Sequence, residues 1–155
     1  SYIDPHGCYQ MVNHAYAEAV GYQPSEMLGM EWHNTVHPDD LPNMRAAYDR
    51  MLAVGKVEVE ARGIKRDGAL FYKQLTMVAD RDERGQLIGH YCFMKDITDR
   101  KAAELALQHA QQRIITTWET MSDAYIALDL DFRYTYVNQA AIDVLGPVTA
   151  PATVR

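Results

Sequence analysis

The sequence is poor in cysteine, in positive charge and in long apolar runs, and each shortage excludes a class of protein. Two cysteines in 155 residues, Cys8 and Cys92, are too few for a disulfide framework, so reduced thiols are expected. A formal net charge of −6 gives no electrostatic support for nucleic-acid binding. No apolar run approaches the length of a membrane span, and nothing resembles a signal peptide. We expect a cytoplasmic chain, which leaves open a membrane anchor elsewhere in a longer parent protein.

Catalytic motifs are also missing from the sequence. It has no Gly-rich phosphate loop, no His and Cys cluster at metal-ligand spacing, no nucleophile motif, no phosphoacceptor-histidine helix and no cyclase motif. Several carboxylates fall at predicted turns or helix starts, where aspartate has a structural role: Asp4, Asp39, Asp40, Asp80, Asp82 and Asp96. We therefore expect no catalytic residue and no metal site here, and any catalysis belongs to another part of the parent protein.

The most informative feature present is an internal repeat with an offset of 125 residues. Over about twenty aligned positions six residues are identical, where chance gives about one. The identical pairs are Asp4/Asp129, Tyr9/Tyr134, Val12/Val137, Asn13/Asn138, Ala15/Ala140 and Gly21/Gly146. Each copy is typical of a strand, an Asp-containing turn, a second strand, an Asn and a short helix that ends at Gly.

Turn signals and apolar periodicity divide the chain between the two copies. Glycines end predicted helices over 13–20 and 38–54, and a one-turn helix is expected over 24–28. Alternation and an Asp-Gly turn predict strands over 56–65, 70–79 and 87–95, and a helix follows to about residue 121. The order of two strands, helices and three strands predicts an α+β fold on an antiparallel sheet.

Both ends of the chain look cut in this alignment. The second copy ends soon after Gly146, and the first has almost no counterpart of residues 124–128. We divide the chain into a domain over 1–98 with a truncated first strand, a helical linker over 99–121 and the N-terminal part of a second domain over 122–155. A truncated strand leaves a sheet edge open, and we expect another chain or residues 124–128 to complete it.

The order and spacing of several motifs resemble the PAS family. These motifs are Val12-Asn13, Gly21-Tyr22, Gly29, Trp32, Val36-His37-Pro38-Asp39-Asp40, Arg66-Asp67-Gly68 and Asp96-Ile97-Thr98-Asp99-Arg100-Lys101. The resemblance covers the first domain in full and the second in part. It implies a five-stranded antiparallel sheet with small helices over one face, and a pocket between them. It also implies a sensory module of a bacterial signal-transduction protein, with a histidine kinase or a diguanylate cyclase as the output domain.

The resemblance also places residues around the pocket. The residues that it implies are Trp32, Met44, Tyr48, Met51, Lys73, Met77, His90, Cys92 and Met94, with Ile88 on the same strand phase. Tyr91 and Phe93 then face outward. A strand that is apolar on both sides is covered on both sides, by a helix of its own domain or by a second copy in a homodimer.

Cofactor binding is not expected. Haem-binding relatives carry a ligating His on the long helix where this chain has Met44, and flavin-adduct relatives carry a Cys in the stretch that here contains Trp32. His37 is interpreted as a helix cap. The purified protein should therefore be colourless. The alternatives left open are a non-covalent flavin stacked on Trp32 and a haem between Met44 and His90.

Two pocket residues have competing interpretations. Cys92 is either a small apolar residue or a redox-sensitive thiol activated by Lys73 or His90. Lys73 either extends its ammonium to water or supplies a counter-charge for an anionic ligand. Three functions follow: a sensor of an unknown small ligand, a ligand-free dimerisation and relay module, or a flavin or haem redox or gas sensor. We take the first as the interpretation.

The linker has a weak heptad pattern. Apolar or small residues recur at steps of four and three: Ala103, Leu107, Ala110, Ile114, Thr117 and Met121. We expect this seam, with Tyr91 and Phe93 on the sheet, to hold a homodimer, and Asp96, Ile97 and Thr98 to pass the signal into the helix. The alternative is a helix packed over Tyr72, Tyr91 and Phe93 of its own domain.

Overall fold

The computed structural model describes residues 1–146, which belong to two compact units that divide after Ala102. The first unit contains one antiparallel sheet of five strands, in the order β2-β1-β5-β4-β3. Its strands are β1 (Tyr2–Ile3), β2 (Tyr9–Met11), β3 (Lys56–Ile64), β4 (Leu70–Arg81) and β5 (Leu87–Asp96). The predicted α+β fold is confirmed, and the three long strands match the predicted ranges to within two residues.

The helices of the first unit lie in the chain between β2 and β3. They are α1 (His14–Ala19), α2 (Pro24–Met27), two 3-10 helices (Trp32–Thr35 and Pro38–Asp40) and α3 (Leu41–Val54). The imidazole Nδ1 of His37 accepts the Asp39 N–H at 3.3 Å, so His37 is a helix cap. The helix predicted from residue 38 begins as this 3-10 turn. Gly55 ends α3 with φ +86°, a left-handed conformation that favours glycine.

The core lies between the helices and one face of the sheet. Along β4 the residues Phe71, Lys73, Leu75 and Met77 are buried, and they alternate with less buried neighbours on the outer face. The backbone of Gly63 on β3 lies against the ring of Phe71, so a side chain at Gly63 would overlap that ring. This close approach explains a glycine inside a strand.

The first strand is short, as expected from the repeat. Ser1 extends the pairing of β1 by one step, since its backbone N and O bond to O and N of Cys92, each at 2.9 Å. The expectation that residues 124–128 complete this sheet is wrong. Residues Ile126–Leu128 form β6, which pairs with β7 (Tyr134–Val137) in a separate two-stranded sheet. A partner a few residues away costs less loop-closure entropy than a distant one.

The second unit contains the greater part of α4 (Thr98–Thr120), then β6, β7 and α5 (Gln139–Leu145). Asn138 is fully buried at the start of α5. Its side-chain N–H groups donate to the carbonyl oxygens of Trp118 and Asp123 at 3.0 and 2.9 Å, and its Oδ1 accepts the Ala141 N–H at 3.0 Å. Asn13 caps α1 in the same way, so the two copies share this turn. None of the helices within residues 1–146 is both long and apolar enough to cross a membrane.

Candidate functional site

A cavity lies between the sheet and the helices of the first unit. Its free volume is about 20 Å³, which is room for about one water molecule. The strands provide one wall and α3 part of the other. The lining residues are Ile3, Tyr9, Tyr16, Trp32, Thr35, Val36, Met44, Tyr48, Lys73, Leu75, Met77, His90 and Cys92. Any ligand larger than water therefore has to move side chains of the lining.

Seven of the nine predicted pocket residues line this cavity; the exceptions are Met51 and Met94. Met51 is fully buried in the core. Met94 is half-buried beside a surface groove with Ser1 and Asn13, because the pairing of β5 with the first strand ends at Cys92. Ile88, on the same strand phase, is 46% exposed.

Lys73 is the most unusual residue of the site. Its side chain is 1% exposed, so the interpretation of an ammonium extended to water is wrong. Nζ donates to the backbone oxygen of Thr35 at 2.7 Å and to Thr35 Oγ1 at 3.3 Å. Burial lowers the pKa of Lys73 from 10.5 to about 8. At pH 7 the pocket therefore holds a buried cation.

A chain of buried hydroxyl groups continues from this ammonium. Thr35 Oγ1 donates to the Trp32 carbonyl at 3.0 Å, which leaves it to accept from Lys73 and from the Tyr9 hydroxyl at 3.3 Å. Tyr9 in turn lies 3.1 Å from the Tyr16 hydroxyl. Burial raises the pKa of Tyr9 to about 12 and that of Tyr16 well above its usual 10.0. These groups are neutral donors and acceptors at physiological pH.

His90 lies at the other end of the cavity. It pairs with Ala79, six residues along β4 from Lys73, which is roughly 20 Å at about 3.3 Å per residue. His90 is 3% exposed, its ring contacts Tyr48 with centroids 5.5 Å apart, and its buried Nδ1 has no hydrogen-bond partner. Burial, and then the nearby N-terminal amine, lower its pKa to about 4. A neutral imidazole, whose Nδ1 makes no hydrogen bond, therefore lines this end of the cavity.

The interpretation of Cys92 as an activated thiol is not supported by its surroundings. Cys92 is 3% exposed, and burial raises the pKa of its thiol more than the nearby Lys73 lowers it. A thiol with a raised pKa is a poor nucleophile. Cys92 is therefore a small apolar residue of the pocket wall.

The residues available to hold a cofactor are few. Met44 and Trp32 line the cavity, but its free volume would have to grow many-fold for a flavin or a haem. Among residues 1–146, no group of three His, Cys, Asp or Glu side chains is arranged to hold a metal ion.

Asp96, Ile97 and Thr98, which the sequence analysis named as signal-relay residues, connect β5 to α4. Asp96 Oδ1 accepts from the backbone N and the Oγ1 of Thr98 at 2.8 and 2.6 Å. Thr98 Oγ1 accepts the Tyr72 N–H at 3.0 Å, and the buried Ile97 donates its N–H to the Tyr72 oxygen at 2.9 Å. The start of α4 is thus fixed to β4 beside Lys73.

The outer face of the sheet carries the predicted exposed aromatics. Phe93 is 62% exposed and Tyr91 is 41% exposed, with the ring of Tyr2 at 5.0 Å from that of Tyr91. On β3, Glu60 accepts from Arg100 at 2.7 Å and pairs with Lys101 at 2.8 Å, which ties the first turn of α4 to a second strand.

Sequence reasoning missed the polar partners of Lys73. Thr35, Tyr9 and Tyr16 were not predicted as site residues, although all three line the cavity. One signal was available, because Tyr9 is identical to Tyr134 in the repeat. Thr35 gave no such signal, since its position depends on the 3-10 helix over Trp32–Thr35.

Comparison with known proteins assigns the family. A family model described as the PAS fold matches residues 10–94, and a second, described as a PAS domain, matches residues 118–153. The first match covers more than half of the chain. The chain therefore belongs to the PAS family, whose domains are sensory modules, as the motifs indicated.

Curated proteins also resemble part of the chain. An uncharacterized protein, y4lL, of Sinorhizobium fredii is 32% identical over 97 residues, which are 62% of this chain and 12% of that protein. The chain spans between 10 and 17% of the length of three curated relatives that it matches.

Two solved structures share the fold. A sensory box histidine kinase/response regulator from Burkholderia thailandensis has a TM-score of 0.61 and 24% identity, over 74% of this chain and 88% of that one. The N-terminal domain of a diguanylate cyclase with PAS/PAC sensor from Marinobacter aquaeolei has a TM-score of 0.57 and 19% identity, over 64% of this chain and 94% of that one.

Proposed function

We propose that this chain is a sensory module that binds a small ligand in the cavity and relays a conformational change through α4 to an output domain of the same protein. The observation that supports it most is the Lys73 ammonium, which is buried in the cavity wall and has no carboxylate partner within residues 1–146. Nδ1 of His90, at the other end of the cavity, is a second buried polar atom without a partner. Buried polar groups are normally paired, so incomplete pairing inside a cavity favours a ligand.

The path from the cavity to α4 is short. Lys73 and Tyr72 are neighbours on β4, where one side chain enters the cavity and the other residue's backbone bonds to Ile97 and Thr98. A ligand that shifts β4 at Lys73 changes the geometry of these two hydrogen bonds. A helix that can pack in two ways converts a small shift at one end into a change between two discrete states. We propose that α4 is such a helix.

A homodimer is part of the proposal. The seam residues Leu107, Ile114 and Met121 are 63, 49 and 45% exposed, with Met121 one residue beyond the end of α4. The exposed Tyr91 and Phe93 add an apolar patch on the sheet. A seam of about three heptads with small residues is marginal alone, so the sheet patch would add stability to the dimer.

The output domain that we propose is a histidine kinase or a diguanylate cyclase, since the two proteins of similar fold named above carry these activities. We also propose a cytoplasmic location, which fits the free thiols of Cys8 and Cys92.

Thermal melting of the whole chain with a library of small anions, neutral compounds and cations tests the function. A ligand for the cavity raises Tm by mass action. A Met77→Phe variant, which fills the cavity, should lose the response, and Thr76→Val, on the opposite face of β4, should keep it. If no compound raises Tm, a ligand-free dimerisation and relay module takes the place of the sensor. Visible absorption by a flavin or haem in the purified protein would instead support a redox or gas sensor.

A further inference from the structure

The hydrogen bonds of Lys73 are incomplete. A protonated lysine has three N–H donors, and the protein accepts two of them, at the backbone oxygen and Oγ1 of Thr35. No further acceptor within residues 1–146 lies at bonding distance of Nζ. Thr35 itself is committed to the Trp32 carbonyl, so it does not turn away from Lys73. One N–H of the ammonium is left for a ligand.

The charge of Lys73 is also uncompensated. Asp96 pairs with it across the β4–β5 ladder, but the Asp96 carboxylate bonds to Thr98 and makes no ion pair with Lys73. A second cation, Lys65, lies at the same aromatic ring as Lys73. Nζ of Lys65 lies 5.5 Å from the centroid of the Phe71 ring, and Nζ of Lys73 lies 5.8 Å from the same centroid. A buried cation without a counter-charge favours an anion from solution.

The walls beside Lys73 are apolar and adaptable. Val36, Met44, Leu75 and Met77 line the cavity, and the two methionines have three rotatable side-chain bonds each. Since the free volume is only about 20 Å³, a ligand enters by moving these flexible side chains. A charged head at Lys73 and a short hydrocarbon body between the methionines would match both parts of the lining.

We propose that the pocket takes a small organic acid, with one carboxylate oxygen accepting the free N–H of Lys73 and the hydrocarbon part packed on Met44, Leu75 and Met77. The inference rests on the proposed function of a ligand sensor and names its ligand class. A carboxylate is a strong acceptor for an ammonium, and its charge removes the penalty of the buried cation.

The groups that face Lys73 determine the pH dependence. Cys92 on β5, Tyr9 on β2 and Tyr16 on α1 have pKa values raised by burial, so they stay neutral at pH 8. Lys65 is the second cation near the Phe71 ring. The Ser1 amine, bonded to the Cys92 oxygen, has a pKa that burial lowers below its usual 8.0.

His90 and Tyr48 lie at the far end of the cavity, and burial lowers the pKa of His90 and raises that of Tyr48 above its usual 10.0, so both are neutral at pH 8. Above about pH 8, Lys73 loses the proton that the acid needs, so affinity should fall by up to about tenfold per pH unit. The affinity of a neutral ligand should not change when Lys73 loses this proton.

The test compares acetate, propionate and butyrate with acetamide, propionamide and butyramide, and with chloride at equal ionic strength, by melting of the whole chain. We expect the acids to raise Tm of the wild type by about 3 °C or more at saturating concentration, and the amides and chloride to have no such effect. Lys73→Met, which keeps the shape of the side chain without its charge, should lose the response. Lys95→Met, at an exposed position of β5, should keep it.

The alternative outcomes are distinguishable. Amides that raise Tm as much as acids, or an equal response in Lys73→Met, would overturn the inference and leave the ligand sensor standing. An equal shift with chloride would show an inorganic anion site and overturn the organic acid. If Lys73→Met does not fold, the pH series on the wild type decides: an affinity for butyrate that stays constant from pH 7 to 10 contradicts the role of Lys73.

Discussion

Replacement of Lys73 by Met should remove the main alkaline pH dependence that the pocket gives to the stability of the folded chain. Burial lowers the pKa of Lys73 from 10.5 to about 8 in the folded chain. Each pH unit between the two values corresponds to about 1.4 kcal/mol, so the charged side chain costs the folded state about 3 kcal/mol at pH 7. Met removes this cost but leaves the Thr35 oxygen without its donor, a loss of about 1–2 kcal/mol. We expect Lys73→Met to be more stable than the wild type by about 1–2 kcal/mol at pH 7.

The sign of this difference should reverse with pH. From pH 8 to 10.5 the unfolded chain keeps a proton that folded Lys73 has lost, so the unfolding free energy of the wild type rises with pH relative to the variant. Above about pH 10.5 Lys73 is neutral in the folded and the unfolded chain, so burying it costs no charge. The wild type should then be more stable than Lys73→Met by about 1–2 kcal/mol, because it keeps the hydrogen bond to Thr35.

Urea unfolding at a series of pH values measures this change. A Trp118→Phe background leaves Trp32 as the fluorescent reporter of the first unit. Lys95→Met, on the exposed side of β5, is the matched control and should follow the wild type at every pH. A stability difference between wild type and Lys73→Met that stays constant from pH 7 to 10.5 would refute the buried cation on which the site depends.

Four further predictions concern separate features. Gly63→Ala should cost about 1–3 kcal/mol of unfolding free energy in urea melts, because the new methyl group overlaps the ring of Phe71. His90→Phe should lose the wild-type decline in stability, about 3 kcal/mol, as pH falls from 6.5 to 4, since the unfolded chain takes up a proton there that folded His90 refuses. Leu107→Glu with Ile114→Glu should turn a dimer into a monomer by mass measurement in solution, because charges replace the apolar seam. The purified protein should show no flavin or Soret absorption, because the cavity has room for about one water molecule.

Matched variants separate these effects from general disruption. His33→Phe, at an exposed histidine, should keep the acid sensitivity of the wild type. Leu105→Glu changes an exposed leucine of α4 outside the seam and should leave the dimer intact. A wild type that is monomeric at high concentration, or a seam variant that stays dimeric, would exclude this seam as the dimer contact. A near-neutral Gly63→Ala would contradict the packing of Phe71.

The sequence predicted the fold well where local rules decide it. Alternation on β3 and β4 and glycines such as Gly55 depend on neighbouring residues alone, and these elements agree with the structure. The partner predicted for residues 126–128 was wrong. A place in the distant first sheet would close a long loop, whereas the hairpin with the nearby β7 costs less chain entropy.

The site was less predictable because it depends on long-range contacts. The strand phase of β4 correctly turned Lys73 inward, but its depth depends on the carbonyl of Thr35, 38 residues earlier in the chain. Met94 has the phase of a pocket residue and yet lies beside a surface groove, since β1 does not extend along that part of β5. Asn138 is identical to Asn13 in the internal repeat, but the repeat did not predict its hydrogen bonds to the carbonyl oxygens of Trp118 and Asp123.

Amide hydrogen exchange at the start of α4 measures directly whether the pocket signals through this helix. The N–H of Tyr72 donates to Thr98 Oγ1, and the N–H of Ile97 donates to the Tyr72 oxygen, so their exchange reports the contact between β4 and α4. We expect the compound with the largest Tm increase to change the exchange of both amides in the wild type and of neither in Lys73→Met. A compound that raises Tm and leaves both amides unchanged would contradict the proposal that the pocket signals through α4.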